Sequence, residues 1–207
     1  MFRIKICGVT RPKDVRLAAK AGADAIGFQM SMGPRKISAE QARKLVKMVP
    51  PLVLPVGVFV NEPLLKVKKL IKRCGFQAVQ LHGEESSEYC EKVGIPVIKV
   101  IRMKNENSYK RFKGFRVAAF MLDSYNKNSH GGTGKSFNPV WARNAARELP
   151  APVLLAGGLT PDNVQKAIRV SGAFGVDVAS GVESRPGLKD PLKVSFFIQQ
   201  VKKAFRV

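Results

Sequence analysis

The chain has 207 residues, 45% of them hydrophobic, and a formal net charge of +21 from 36 Lys and Arg against 15 Asp and Glu. That length suits one domain with a substantial core and excludes a disordered polymer, and no apolar run approaches the ~20 residues needed to cross a bilayer. The three cysteines, Cys7, Cys74 and Cys90, show neither CxxC nor Cys/His spacing, which argues against a disulfide framework or a zinc site; with no apolar leader, the expected compartment is the cytoplasm.

In chain order, strands are predicted near residues 2–7, 25–29, 55–60, 78–82, 97–101, 118–123, 153–157 and 175–179. An internal echo punctuates them: GADAIGF from Gly22, GFQAVQLHG from Gly75 and GAFGVDVASG from Gly172 each set a helix-ending glycine directly before a short strand. The helices between have readable starts. Ser38 and Gln41 form a capping box ahead of the apolar face of Ala42, Leu45, Val46 and Val49. Asn61, Thr160 and Asp190 stand as N-caps, each with a proline in the following turn. The fifth unit, RMKNENSYKRFKGF, has poor helical periodicity, so its helix is expected to be short or replaced by loop. Eight βα units in one domain spanning residues 1–207 predict a (β/α)₈ barrel rather than an open doubly wound sheet.

Alternation along the strands assigns faces. One parity, with Ile4, Ile6, Ile26, Phe28, Val56, Val58, Ile98, Val100, Phe120 and Leu122, is expected to meet the helices. The other holds Lys5, Cys7, Gln29, Gln80, His82, Lys99, Asp123 and Asp177 and turns polar toward the strand C-terminal ends, where barrel active sites are built.

Cys7 is the last inward position of the first strand, followed by Gly8. A buried cysteine is ordinarily a small hydrophobe, and Cys74 and Cys90, on apolar helix faces, fit that role. Cys7 differs in position, and Lys5 two residues earlier offers a cation to draw its thiol toward neutrality. Asp123 ends the sixth strand; across the barrel mouth from a thiolate it is a candidate general acid, burial favouring its protonated form. Asp177 lies deeper, and an ion pair with Lys5 or Lys99 is its expected role. His82 ends the fourth strand, either as a catalytic group or to orient a neighbour; with His130 the only other histidine, a metal centre is not expected.

Phosphate binding is the stronger local signal. Gly157 and Gly158 follow the seventh strand, and Ser180 and Gly181 follow the eighth, where a short extra helix has room to start; free backbone N–H groups at such turns cradle a phosphate. GPRKIS after the second strand offers Arg35, whose fork suits a carboxylate. SHGGTGKSF after the sixth lacks P-loop spacing and is expected to be a mobile loop beside Asp123. The net charge attracts anions in general. Its lysines fall on solvated helix faces such as LLKVKKLIKR without interleaved aromatics, so nucleic acid is not the expected main partner.

In this order, KICGVT, GADAIGF, GPRKIS, VGVFVNE, VQLHGEE, FMLDS, GGTGKSF, LAGGL and VDVASGVE resemble the phosphoribosylanthranilate isomerase family of tryptophan biosynthesis, from residue 3 to about residue 190. The resemblance implies a (β/α)₈ barrel catalysing the Amadori rearrangement of a small molecule that carries a phosphate and a carboxylate, with no cofactor or metal and no membrane partner, as a monomer or homodimer. It implies Cys7 as general base, Asp123 as general acid, Arg35 as partner of the anthranilate carboxylate, and the two glycine turns as the phosphate site. Gln80, His82 and Asp177 complete the expected substrate-contacting set. Lys36 stands where many relatives carry an aromatic residue. The related isomerase of histidine biosynthesis generally carries an aspartate where Cys7 stands, which argues against that activity. A basic barrel binding RNA through a vestigial site is the reading from another class, and it leaves Cys7, Asp123 and the paired turns without a reason to share one rim.

Overall fold

The computed structural model describes residues 3–124 and 139–205; SHGGTGKSF and His130 lie outside the described residues. Eight parallel strands close into a barrel in chain order: β1 (Ile4–Cys7), β2 (Ala25–Gln29), β3 (Leu54–Phe59), β4 (Ala78–Leu81), β5 (Val97–Met103), β6 (Ala119–Ser124), β7 (Val153–Leu155) and β8 (Gly175–Val178). β1 makes the closure, pairing Lys5 with Ala25 of β2 on one side and with Asp177 of β8 on the other.

Among the described residues seven α-helices surround it: α1 (Pro12–Ala21), α2 (Ala39–Val46), α3 (Leu64–Cys74), α4 (Ser87–Lys92), α5 (Pro139–Glu148), α6 (Val164–Ser171) and α7 (Pro191–Phe205). None of the described helices is long and apolar enough to cross a membrane. The fifth unit forms only a 3₁₀ turn, Lys110–Phe112, as its missing periodicity predicts. The echo is structural: Gly22, Gly75 and Gly172 end α1, α3 and α6 in the left-handed conformation.

The predicted helix starts fared unevenly. Ser38 Oγ accepts from the Gln41 amide, but the Gln41 side chain donates to the Thr10 carbonyl, so the box is half formed. Asp190 caps α7 by accepting from Leu192 and Lys193. Asn61 does not cap α3, which starts after Pro63; it accepts instead from the Glu84 amide and so binds the β4 loop. Thr160 is displaced by Asn163, the residue before α6.

Two apolar layers hold the fold. Ile6, Phe28, Leu81, Phe120 and Val176 pack between sheet and helices, and each large aliphatic buried there contributes about 1.5–3 kcal/mol. Inside the barrel, Ala25, Val56, Ile98, Val100, Met121 and Leu154 fill the lower half. The faces of β3 and β5 are therefore opposite to expectation: Val56, Val58, Ile98 and Val100 point inward and Lys99 outward. β3 is apolar on both parities, as a strand covered on two faces can be, and on β5 the parity of Lys99 turns outward to meet Glu85. Lys99 is fully buried outside the barrel, donating to Glu85 Oε2 and the Gly83 carbonyl at 2.7 Å each.

Candidate active site

The C-terminal ends of the strands open on one cleft. Cys7, Arg35, Gln80, His82, Asp123 and Asp177 all line it, as do the turns at Gly157–Gly158 and Ser180–Gly181. The thiol and the carboxyl group thus enter one space from β1 and β6.

Cys7 is 3% exposed at the end of β1. Its sulfur rests against Gly27, where an added Cβ would lie 2.8 Å from Sγ and 3.0 Å from Lys5 Nζ. Lys5, fully buried beneath it, donates to Asp177 Oδ1 at 2.8 Å. Burial opposes the Lys5 charge, but Asp177 and Cys7 outweigh it and raise its pKa above the ordinary lysine value. Lys5 does not, however, bring Cys7 toward neutrality. Burial pushes the thiol above its ordinary value; Lys5 draws it down, and Asp177, which shares that ammonium, pushes it up again.

Asp123 is buried on β6, and Gly157 makes room for it: with φ +79°, a Cβ there would lie 2.3 Å from Asp123 Oδ1. Oδ1 has no hydrogen-bond partner among the described residues. Oδ2 lies 3.1 Å from His82 Nε2 without forming a hydrogen bond, and Nε2 is unsatisfied as well. The third such atom is Gln80 Oε1, whose Nε2 approaches His82 Nδ1 at 3.4 Å. Buried polar atoms are nearly always paired, so three orphans along one wall mark where a hydroxyl-rich ligand would supply the missing bonds.

Arg35 is buried in the loop after β2, and its fork is engaged within the protein: Nε reaches Glu183 Oε1 at 2.9 Å and Nη2 reaches Oε2 at 2.6 Å. Bonding to Glu183 raises the Arg35 pKa further. On the opposite wall the amides of Gly157 and Gly158 meet no carbonyl among the described residues, while Asn163 fixes that turn by donating to the Gly158 carbonyl at 2.8 Å. Ser180–Val182 forms a single 3₁₀ turn at the place of the expected extra helix. A short hairpin that alternation did not reveal follows, β9 (Glu183–Arg185) and β10 (Leu188–Lys189). Glu183 closes the quoted SGVE motif but had no assigned task, and Lys189 reads in sequence as one more surface lysine. Arg102 was missed through the inverted phase of β5: it pairs in register with Asp123 and donates to the His82 carbonyl at 3.0 Å. Among the described residues no group of three His, Cys, Asp or Glu side chains is placed to hold a metal.

Fold and cleft define the class: a (β/α)₈ barrel with a thiol and a carboxyl group lining one cleft at the C-terminal ends of its strands. The chain belongs to the N-(5'-phosphoribosyl)anthranilate isomerase family, whose sequence model matches residues 4–200. It is 44% identical over 203 residues to N-(5'-phosphoribosyl)anthranilate isomerase of Pelobacter propionicus, covering 98% of this chain and 96% of that one. The crystal structure of phosphoribosyl anthranilate isomerase from Thermotoga maritima superposes with a TM-score of 0.90 at 39% identity, covering 98% of this chain and 100% of the other. A phosphoribosyl anthranilate isomerase in complex with reduced 1-(o-carboxyphenylamino)-1-deoxyribulose 5-phosphate superposes with a TM-score of 0.87 at 37% identity, over 98% and 100% of the two chains.

Proposed function

We propose that the chain catalyses the Amadori rearrangement of N-(5'-phosphoribosyl)anthranilate to 1-(2-carboxyphenylamino)-1-deoxyribulose 5-phosphate in tryptophan biosynthesis. The observation that carries this reading is the single cleft into which Cys7 and Asp123 both open, between paired glycine turns and an arginine. In it the turns at Gly157–Gly158 and Ser180–Gly181 hold the phosphate through backbone amides, and Arg35 meets the anthranilate carboxylate through Nη1, which Glu183 does not use.

Asp123 delivers a proton to the furanose ring oxygen. The C1–O bond breaks as the anthranilate nitrogen lone pair forms the C=N bond of an iminium ion. Cys7 takes the proton from C2, its electrons form the C1=C2 bond, and the nitrogen recovers its lone pair as the enolamine. Tautomerisation of that enol, with a proton lost from O2 and one gained at C1, leaves the ketone. Because burial pushes the Cys7 thiol above its ordinary value, the cationic iminium beside the sulfur is the charge that favours the thiolate.

Turnover of phosphoribosylanthranilate by the wild type, Cys7→Ala and Asp123→Asn tests this. Each variant is expected to lose about 10²–10⁴-fold in kcat, the usual contribution of a positioned acid or base. Near-normal rates in both would reject the assignment.

A further inference from the structure

Behind the wall that carries Cys7 lies a polar cluster to which the reaction above gives no task. The Lys189 side chain is fully buried, and Nζ donates to the Cys7 carbonyl at 2.6 Å, to the Ala179 carbonyl at 3.0 Å and to Glu183 Oε1 at 2.8 Å. Those acceptors use all three N–H donors of an ammonium. The first belongs to the residue that bears the thiol. The second immediately precedes the turn at Ser180–Gly181, and the third is the carboxylate that grips Arg35. Glu183 is itself a hub, for Oε1 also accepts from the Gly187 amide at 3.2 Å. The hairpin is fastened to the β1–α1 connection again where Thr10 Oγ1 donates to the Gly187 carbonyl at 2.7 Å.

Burying an ammonium is costly and a well-packed apolar side chain is often at least as stable; what sets Lys189 apart from the equally buried Lys99 is that two of its acceptors belong to Cys7 and Ala179, which line the cleft. The cost shows: burial depresses the Lys189 pKa, only partly offset by Glu183.

We propose that Lys189, with Glu183 as its counter-ion, is a positioning residue for the isomerisation: one buried ammonium ties the base-bearing peptide, the phosphate turn and the carboxylate-binding arginine into one frame and lends its charge to the sulfur. This rests on the roles of Cys7 and Arg35 given above. The charged groups facing Cys7 come from every side: Lys5 on β1, Asp177 on β8, Lys189 on β10 and Arg35 from the loop after β2. Removing Lys189 therefore takes away one of the cations that favour the thiolate, and the thiol pKa rises further.

The test compares wild type, Lys189→Met and Glu183→Gln in phosphoribosylanthranilate turnover, and follows Cys7 alkylation by iodoacetamide against pH, with the Cys74 and Cys90 peptides resolved by mass spectrometry. Lys189→Met is expected to lower kcat/KM by about 100-fold, the scale of an ångström-sized misplacement. It should also move the alkylation midpoint of Cys7 to higher pH. Glu183→Gln, which keeps the side-chain volume, should raise KM by about 10-fold with a smaller change in kcat, since it loosens a binding group. A folded Lys189→Met with the wild-type alkylation profile and kinetics, or one changed only in thermal midpoint, overturns the proposal. If that variant does not fold, an unchanged KM and alkylation profile in Glu183→Gln overturns it. Alkylation needs no turnover: a wild type that never converts the substrate defeats the functional reading, while the thiol shift still decides the influence of Lys189 on Cys7.

Discussion

Two lysines on opposite sides of the same sheet have almost the same surroundings. Lys5, inside the barrel, is fully buried, 2.8 Å from a carboxylate, and lies under Cys7. Lys99, outside it, is fully buried, 2.7 Å from the Glu85 carboxylate, and acts on the nearby Cys90. Burial raises both thiols, Cys90 to about 11, and in both places the lysine pulls down while the carboxylate pushes up. The difference is what each thiol meets. Cys7 opens into the cleft, whereas Cys90 faces the packed layer between sheet and helices. A lysine–carboxylate–thiol cluster is thus no signature of chemistry by itself; which face of the strand carries it decides.

The largest effect expected from this contrast is that of Lys5→Met. It strands Asp177 beside the sulfur, costing about 3–5 kcal/mol of stability, and lowers kcat by about 100-fold or more in the folded protein. Denaturant melts with kinetics on the surviving fold measure both. Lys99→Met should cost a similar 3–5 kcal/mol by leaving Glu85 unpaired, yet keep kcat within a few-fold. An equal kinetic loss in the two variants would erase the distinction between the faces.

The sequence made the barrel and the polar rim legible because β1, β4, β6 and β8 each have one apolar parity and one bearing Lys, Cys, Gln or Asp. It did not make β3 and β5 legible, since VGVF is apolar on both parities and the lone lysine of VIKV suggests an interior that it does not face. Glu183 and Lys189 escaped for another reason. Their partners, Arg35 and the Cys7 carbonyl, are 148 and 182 residues away, and no local pattern reports contacts of that range.

Alkaline pH separates the two thiols further. Cys90 ionises near 8.5 when unfolded and near 11 when folded, so its contribution to stability is complete below about pH 8.5 and is lost as pH rises through about 11. Cys90→Ala should flatten the fall in melting temperature over that window and leave the acid limb of kcat/KM, set by Cys7, where it was. A displaced acid limb would mean that the outer cluster reaches the cleft. The smallest effect belongs to Ser86→Ala, which removes the cap that accepts from the Tyr89 amide at the start of α4, just beyond Glu85. About 1 kcal/mol of stability and no change in kinetics are expected, checked by thermal melts and initial rates.

The pairing of β1 with β8 has a consequence for synthesis. Cys7 leaves the ribosome long before Asp177 and the anchoring hairpin at residues 183–189. A nascent chain can therefore hold most of its helices and still have no working pocket, and catalysis switches on only when Asp177 and the hairpin lock onto β1.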